Sequence, residues 1–182
     1  MNARETSPIA TPIVKVWDPL IRIFHWSLVV SFIGAYLLGE DGGALHQALG
    51  YATLGLIAFR LVWGLVGTKY ARFSSFVPSP GELKAYARQV FRGKETRRLG
   101  HNPAGGAMIV ALLAAILATG VTGWMMTTDA MWGSKLVEGV HEFLATSVLV
   151  LVALHLLGVL YSSLRHRENL VMAMFTGRKR QE

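Results

Sequence analysis

The sequence predicts an all-α integral membrane protein built as a four-helix transmembrane bundle. Of its 182 residues, 52% are hydrophobic and only 16% are charged, whereas a soluble domain carries about 25% charged residues. Four stretches are apolar for the roughly 20 residues that a hydrocarbon core requires. The basic residues also gather on one side of these stretches. These observations exclude a soluble enzyme, and the length suits a single membrane domain.

The predicted spans cover residues 20–39, 46–67, 104–127 and 141–163. Outside them lie an N-terminal tail (1–19), a long loop (68–103) and a C-terminal tail (164–182). Of the 18 Lys and Arg residues, 17 fall in or beside these three segments, and only Lys135 falls in the other two loops. The positive-inside rule therefore places both termini in the cytoplasm. The first residues lack the charged and apolar regions of a signal peptide and are interpreted as cytoplasmic tail.

The net charge of +7 is explained by this topology and by contact with anionic membrane lipid. No nucleic-acid partner is expected, because no exposed aromatic platform accompanies the basic residues. Within the long loop, Ser79, Pro80 and Glu82 are typical of a capping box at a helix start. The apolar residues that follow at helical spacing predict an interfacial helix on the inner leaflet.

Four histidines lie within the spans, where ionisable side chains are costly and mark function. His141 and His155 are 14 residues apart, which is close to four turns and roughly 21 Å along one helix. His46 opens the second span at the outer surface, and His25 lies at the inner end of the first. Depth therefore predicts two pairs, His46 with His141 outside and His25 with His155 inside.

Two facing imidazoles, twice in one bundle, are the ligands of two bis-histidine b-type haems. The chain has no cysteine, which excludes Cys-ligated zinc, iron–sulfur clusters and covalent c-type haem. A zinc or iron(II) site would need further carboxylates, and Glu142 points elsewhere on its helix. The small residues that could let a flat macrocycle approach the backbone are Gly50, Gly55, Ala145 and Gly158.

Other polar residues near the inner surface are secondary candidates. Arg60 follows His46 by 14 residues, so it lies on the same helix face at the inner depth. It either pairs with a haem propionate or snorkels to the head groups; Arg22 and Lys15 are weaker candidates. His101 either bonds a propionate, relays protons at a quinone pocket or is a solvated loop residue. We expect His166 in the solvated tail, and an aromatic belt accounts for four tryptophans near span ends: Trp26, Trp63, Trp124 and Trp132.

Several short motifs resemble the prokaryotic cytochrome b561 family, which is related to the cytochrome b subunits of nickel–iron hydrogenases. They are Ile23-Phe24-His25-Trp26, Leu45-His46, Gly100-His101-Asn102-Pro103, His141-Glu142 and Leu154-His155. The resemblance extends from about Val14 to Met174. It implies two haems b per chain in the bacterial plasma (inner) membrane, with His25, His46, His141 and His155 as axial ligands. It also implies electron exchange between membrane quinone and a partner redox protein or a small oxidant or reductant.

Histidine on both axial positions leaves no open coordination site, so outer-sphere electron transfer is the expected chemistry. An electron-transfer subunit is favoured over a stand-alone enzyme, with a c-type cytochrome or an oxidoreductase subunit as partner. The alternative is a superoxide:quinone oxidoreductase acting at the outer haem. The outer loops and adjoining span ends carry five acids against Lys135, which favours a cationic partner and would repel superoxide. These acids are Glu40, Asp41, Asp129, Glu138 and Glu142.

Overall fold

The computed structural model describes residues 12–40 and 42–181. Within them, one two-stranded sheet accompanies six α-helices. The helices are α1 (Pro19–Leu37), α2 (Ala44–Val66), α3 (Pro80–Phe91), α4 (Pro103–Met126), α5 (Lys135–Arg165) and α6 (Leu170–Thr176). Strand β1 (Ile13–Lys15) pairs antiparallel with β2 (Arg178–Arg180). Most of the predicted N-terminal tail, together with Asp41, lies outside the described residues.

Helices α1, α2, α4 and α5 are long and apolar enough to cross a membrane. Many of their large apolar side chains point away from the chain; Leu37 is 74% exposed and Phe143 is 70% exposed. Such an apolar surface is suited to contact with lipid. Lipid offers no hydrogen-bond partner to the backbone, but a helix satisfies its own backbone groups internally. The prediction of a helical membrane bundle is confirmed. Helix α5 begins earlier than the predicted span because the Ser134 side chain caps it by accepting from the Val137 amide.

The four long helices pack in chain order, α1 on α2, α2 on α4 and α4 on α5. Within the described chain, α5 does not pack closely against α1 or α2. The packed centre is formed by Phe24, Phe32, Ile57, Leu113, Ile116 and Val148. An interhelical space therefore lies beside this core, bordered by α5 on one side and by α1 and α2 on the other.

The two ends of the bundle differ in how they are covered. We call the end with the β1–β2 sheet, α3 and α6 the sheet end, and the end with the two short connections 38–43 and 127–134 the loop end. The capping box predicted before α3 is present, with the Ser79 and Glu82 side chains each bonded to the other's backbone N–H. Residues beyond α5, interpreted above as a tail, fold back as α6 and β2.

Buried charged groups hold the sheet end together. Glu168 accepts a hydrogen bond from Arg97 at 2.8 Å and lies 3.4 Å from the Lys179 ammonium. Burial opposes ionisation of Glu168, but the Arg97 hydrogen bond and the Lys179 charge hold its pKa below the usual range. Burial lowers the pKa of Lys179 against the opposing effect of Glu168. The returning C-terminal segment is thus fixed to the long loop by paired charges.

Candidate functional site

At the loop end, His46 of α2 and His141 of α5 face each other. Their ring centroids are 6.2 Å apart and the ring planes are 80° from parallel. The Nδ1 atom of His46 lies 2.8 Å from the carbonyl oxygen of Ala35, and that of His141 lies 3.0 Å from the carbonyl oxygen of Thr119. A carbonyl oxygen only accepts, so each Nδ1 carries the proton and donates it. Each Nε2 therefore bears a free lone pair.

A cleft surrounds this pair, and its empty space of about 640 Å³ includes the open solvent at its mouth. It is bordered by α1, α2, α4 and α5, and Gly50 and Ala145 are among its lining residues. A Cβ added at Gly50 would meet nothing within 4 Å, whereas one at Gly123 would come within 3.0 Å of the His141 Cε1 atom. Gly50 thus leaves the cavity open, and Gly123 makes room for the His141 ring.

At the sheet end, His25 of α1 and His155 of α5 are both half-buried. The His25 ring also contacts the edge of Trp26, with centroids 5.0 Å apart. The His25 Nδ1 and Trp26 Nε1 atoms are buried without a hydrogen-bond partner. The structure thus brings the His46 and His141 rings together, and the surroundings of His25 and His155 differ from theirs; the pairing of His25 with His155 stays a prediction.

Arg60 is the most unusual charged group at the sheet end. It is only 4% exposed, and its Nη1 atom has no hydrogen-bond partner. Its guanidinium lies 4.8 Å from the Phe73 ring centroid and 5.6 Å from that of Phe76. Such cation–π contacts only partly replace the hydration that a buried charge loses. At this burial the Arg60 guanidinium does not reach the surface of the described chain.

Asp18 is the carboxylate whose charge acts on Arg60. Both of its oxygens already accept hydrogen bonds from other groups. It caps α1 by accepting from the Ile21 amide at 3.0 Å, and it accepts from Thr68 at 2.6 Å and from Trp63 at 3.3 Å. Burial favours the neutral acid, but these hydrogen bonds keep the pKa of Asp18 below its usual value. Asp18 thus ties α1 to the end of α2 and forms no ion pair within 4.0 Å of Arg60 among the described contacts.

His101 precedes α4 and is held between two aromatic rings. Its centroid lies 4.6 Å from Trp17 and 4.9 Å from Phe76, and its Nδ1 is buried without a partner. Burial lowers its pKa to about 3, and the charges of Lys179 and Arg60 act in the same direction. His101 is therefore a neutral, packed imidazole rather than a solvated loop residue.

His166 also departs from its expected place. It caps the C-terminus of α5, with its N–H bonded to the Ser162 carbonyl, and it is half-buried. It lies at a second, smaller cavity of the sheet end, away from the four span histidines. The expectation of a solvated tail residue is wrong because the chain turns back at this position to form α6.

The spacing of the loop-end pair fits one metal ion held between two imidazoles. Metal–imidazole bonds are about 2 Å long, so two rings coordinating from opposite sides have centroids roughly 6 Å apart. The hydrogen-bonded Nδ1 atoms fix the tautomer and orientation, as is common for metal-binding histidines. In the described part of the chain, no group of three or more His, Cys, Asp or Glu converges. Two facing imidazoles beside a cleft between the helices fit the donor set that a bis-histidine haem would need.

Sequence reasoning did not identify the groups that position these histidines. The backbone acceptors at Ala35 and Thr119 carry no sequence signal of their own. The Thr122 hydroxyl, 3.2 Å from His141 Nδ1, and Gly123 were detectable in principle, since a Thr and a Gly lie at matching depth on α4. The predicted small residues Gly55 and Gly158 are open to space but do not line the loop-end cavity.

Fold and site together define a helical membrane protein with paired histidines between its helices. The sequence matches the prokaryotic cytochrome b561 family over residues 16–177. The chain therefore belongs to that family, which confirms the resemblance and implies haem b binding and electron transfer in a bacterial membrane. No curated protein and no solved structure matches the chain.

Proposed function

We propose that the chain is a di-haem b-type cytochrome of the bacterial inner membrane that carries electrons between the quinone pool and a partner redox protein. The observation that carries the proposal is the His46–His141 pair, whose rings face each other across a cavity with both Nδ1 atoms bonded to backbone carbonyls. Bound haem would supply reversible one-electron chemistry. The protein would supply the ligands, their orientation and the surrounding charge.

The loop-end pair would hold the outer haem. His46 and His141 would each offer Nε2, and Gly123 would keep the His141 ring in place. With His46 and His141 both holding the haem iron, the chain would leave no place for substrate or oxygen to bind it, and electrons would pass by outer-sphere transfer. The neutral polar groups at the cavity mouth include Tyr51, whose hydroxyl lies 3.1 Å from that of Thr127, and they would face the polar edge of the macrocycle.

The sheet-end pair, His25 and His155, would hold the inner haem. Arg60 would bind a propionate, because a buried guanidinium with an unpaired Nη1 atom gains most from a carboxylate. His101 would donate from its unpartnered nitrogen to the same polar edge or to a quinone. The buried Arg22 Nε atom, also unpartnered, supports an anionic group at this end. Lys15 is in β1 and is the weakest candidate.

The sheet end would face the cytoplasm, with both termini. All but one of the Lys and Arg residues lie in or beside segments of this end, and the interfacial helix α3 would rest on anionic lipid there. The loop end would then face outward. Residues 1–182 would form one membrane domain, in which the quinone exchanges electrons near the inner haem.

The outer face would receive a cationic redox protein such as a c-type cytochrome or a basic surface of an oxidoreductase subunit. Lys135, the cation expected there, is paired with Glu138 at 2.7 Å. This ion pair leaves Glu40, Asp129 and Glu142 to set the local charge; Asp41 lies outside the described residues. A negative face attracts a cationic protein and repels superoxide, so an electron-transfer subunit is favoured over the superoxide:quinone oxidoreductase.

Reconstituted protein tests this function directly. The haems should exchange electrons with a membrane quinone and with a soluble cationic c-type cytochrome, and the rate of exchange with the cytochrome should fall with rising ionic strength. Glu142→Gln should weaken that salt dependence, with Glu82→Gln at the sheet end as a charge-matched control. Rapid reduction of the purified protein by superoxide, with electrons passed on to quinone and no response to the cytochrome, would contradict the proposal in favour of the oxidoreductase.

A further inference from the structure

The two histidine pairs differ in the hydrogen bonds of their ring nitrogens. Both loop-end rings donate from Nδ1 to a backbone carbonyl, at 2.8 Å for His46 and 3.0 Å for His141. At the sheet end, His25 Nδ1 is buried without a partner, and within the described chain no side-chain hydrogen bond holds His155. An N–H that donates to a carbonyl makes the imidazole more electron-rich and a stronger ligand. Electron-rich ligands stabilise ferric over ferrous iron.

The fixed charges around the two pairs differ in the same sense. Arg60 and Arg22 lie at the sheet end, each with a buried nitrogen that has no partner. Asp18 opposes them with one negative charge, which leaves a positive balance. The described residues that line the loop-end cavity include no Lys or Arg, and Glu142 directly follows His141. Positive charge disfavours the oxidised, more positive state of a haem, and negative charge favours it.

From these two differences we propose that the loop-end pair sets a lower reduction potential than the sheet-end pair. The inference rests on the proposed function, since it takes both pairs as haem ligands. It adds a direction of electron transfer. When the reduced outer haem passes its electron to the oxidised inner haem, the outer couple becomes oxidised, the inner couple becomes reduced, and the transfer is thermodynamically downhill. Ligand hydrogen bonding and local charge, two independent properties of this chain, give the same order.

A potentiometric titration of the detergent-purified holoprotein, followed by haem absorbance, tests the order. The wild type should titrate in two separate one-electron waves. Arg60→Met removes the buried charge at the sheet end and should lower the upper wave alone, by about tenfold in its oxidation equilibrium, which is 59 mV for one electron. Glu142→Gln removes a negative charge near His141 and should raise the lower wave alone, by less because Glu142 is exposed.

Arg88→Gln, on the exposed face of α3, is the matched control and should move neither wave. If the Arg60→Met protein does not retain the inner haem, the upper wave should disappear. The response of the lower wave to Glu142→Gln would still assign that wave to the loop-end pair. A single wave, a lower wave that responds to Arg60→Met, or an upper wave that responds to Glu142→Gln would overturn the order. Failure of the proposed function is distinguishable, because the protein would then contain fewer than two haems.

Discussion

The loop-end and sheet-end histidine pairs use the same residue type and share helix α5, yet the chain surrounds them differently. At the loop end, backbone carbonyls fix both rings beside an open, mainly neutral cavity. At the sheet end, the buried Arg60 packs against aromatic rings, His25 contacts Trp26, and Phe175 of α6 stacks on Trp26. The ligands determine which group is bound, whereas the segments beyond the helices determine its electrostatic environment. The two sites are therefore not interchangeable copies.

The largest expected effect comes from breaking the pairs. His46→Ala or His141→Ala alone should reduce two haems per chain to one, and the double variant should lose no more than either single one. His46→Ala combined with His25→Ala should lose both haems, because it removes a ligand from each pair. Haem-to-protein ratios measure this, with His166→Ala as the control that keeps both. Equal loss in the within-pair and cross-pair doubles would contradict the pairing.

Crowding the loop-end site should affect one haem only. A Cβ at position 123 would lie 3.0 Å from the His141 ring, so Gly123→Val should displace that ring. Overpacking typically costs about 1–3 kcal/mol, equivalent to roughly 5- to 150-fold in affinity. Haem titration of the purified protein measures the loss. Gly139→Val, where an added Cβ meets nothing within 4 Å, should bind as the wild type does; equal losses in both variants would refute this role of Gly123.

Removing the Glu168 carboxylate should destabilise the sheet end selectively. Glu168→Gln leaves the buried Lys179 ammonium without its partner, and breaking such a pair costs about 3 kcal/mol. Thermal unfolding in detergent should report the loss, while Glu142→Gln at the loop end should leave the unfolding temperature nearly unchanged. An unaltered Glu168→Gln protein would show that these charges do not secure the C-terminal segment.

The same carboxylate predicts a pH dependence. Its pKa is lower in the folded chain than the ordinary value of 4.5, so the unfolded chain binds the proton more readily on acidification. The stabilising contribution is therefore complete above about pH 4.5 and is lost as the pH falls through the lower folded-state pKa. Unfolding temperatures measured from pH 7 to pH 3 should fall less steeply in Glu168→Gln than in the wild type. Parallel curves would contradict this assignment.

The smallest expected effect concerns the aromatic contact that joins α6 to α1. Phe175 stacks on Trp26, with centroids 4.2 Å apart and planes 18° from parallel. Phe175→Leu should cost about 0.5–1.5 kcal/mol, visible as a slightly lower unfolding temperature. Phe143→Leu, at a lipid-exposed position of α5, is the matched control. Greater destabilisation by the control would indicate that the stack contributes nothing.

The helices and the approach of His46 to His141 could be predicted because each leaves a strong one-dimensional signal. Apolar stretches set the spans, and the 14-residue interval from His141 to His155 places both rings on one face of α5 at two depths. The start of α5 could not be predicted from hydropathy. Ser134 and Glu138 make its beginning polar, so the apolar stretch starts later than the helix does.

The surroundings of the sheet-end pair could not be predicted, because they depend on contacts between distant segments. Lys179, a tail residue in sequence, is buried only because β2 pairs with β1 and Glu168 provides its counter-charge. His101 is packed between Trp17 and Phe76, which come from two other parts of the chain. Backbone acceptors such as those of Ala35 and Thr119 leave no trace in residue identity, so the hydrogen bonds of the loop-end histidines could be seen only in the structure.

The haem-to-protein ratio of the detergent-purified chain, measured by pyridine haemochrome with a reduced-minus-oxidised spectrum, tests the central claim most directly. Two b-type haems per chain are predicted, one for each histidine pair. One haem would mean that one pair is only structural, and loss of the remaining haem in His46→Ala or in His25→Ala would show which pair binds. No haem in protein produced with ample haem supply would contradict the account.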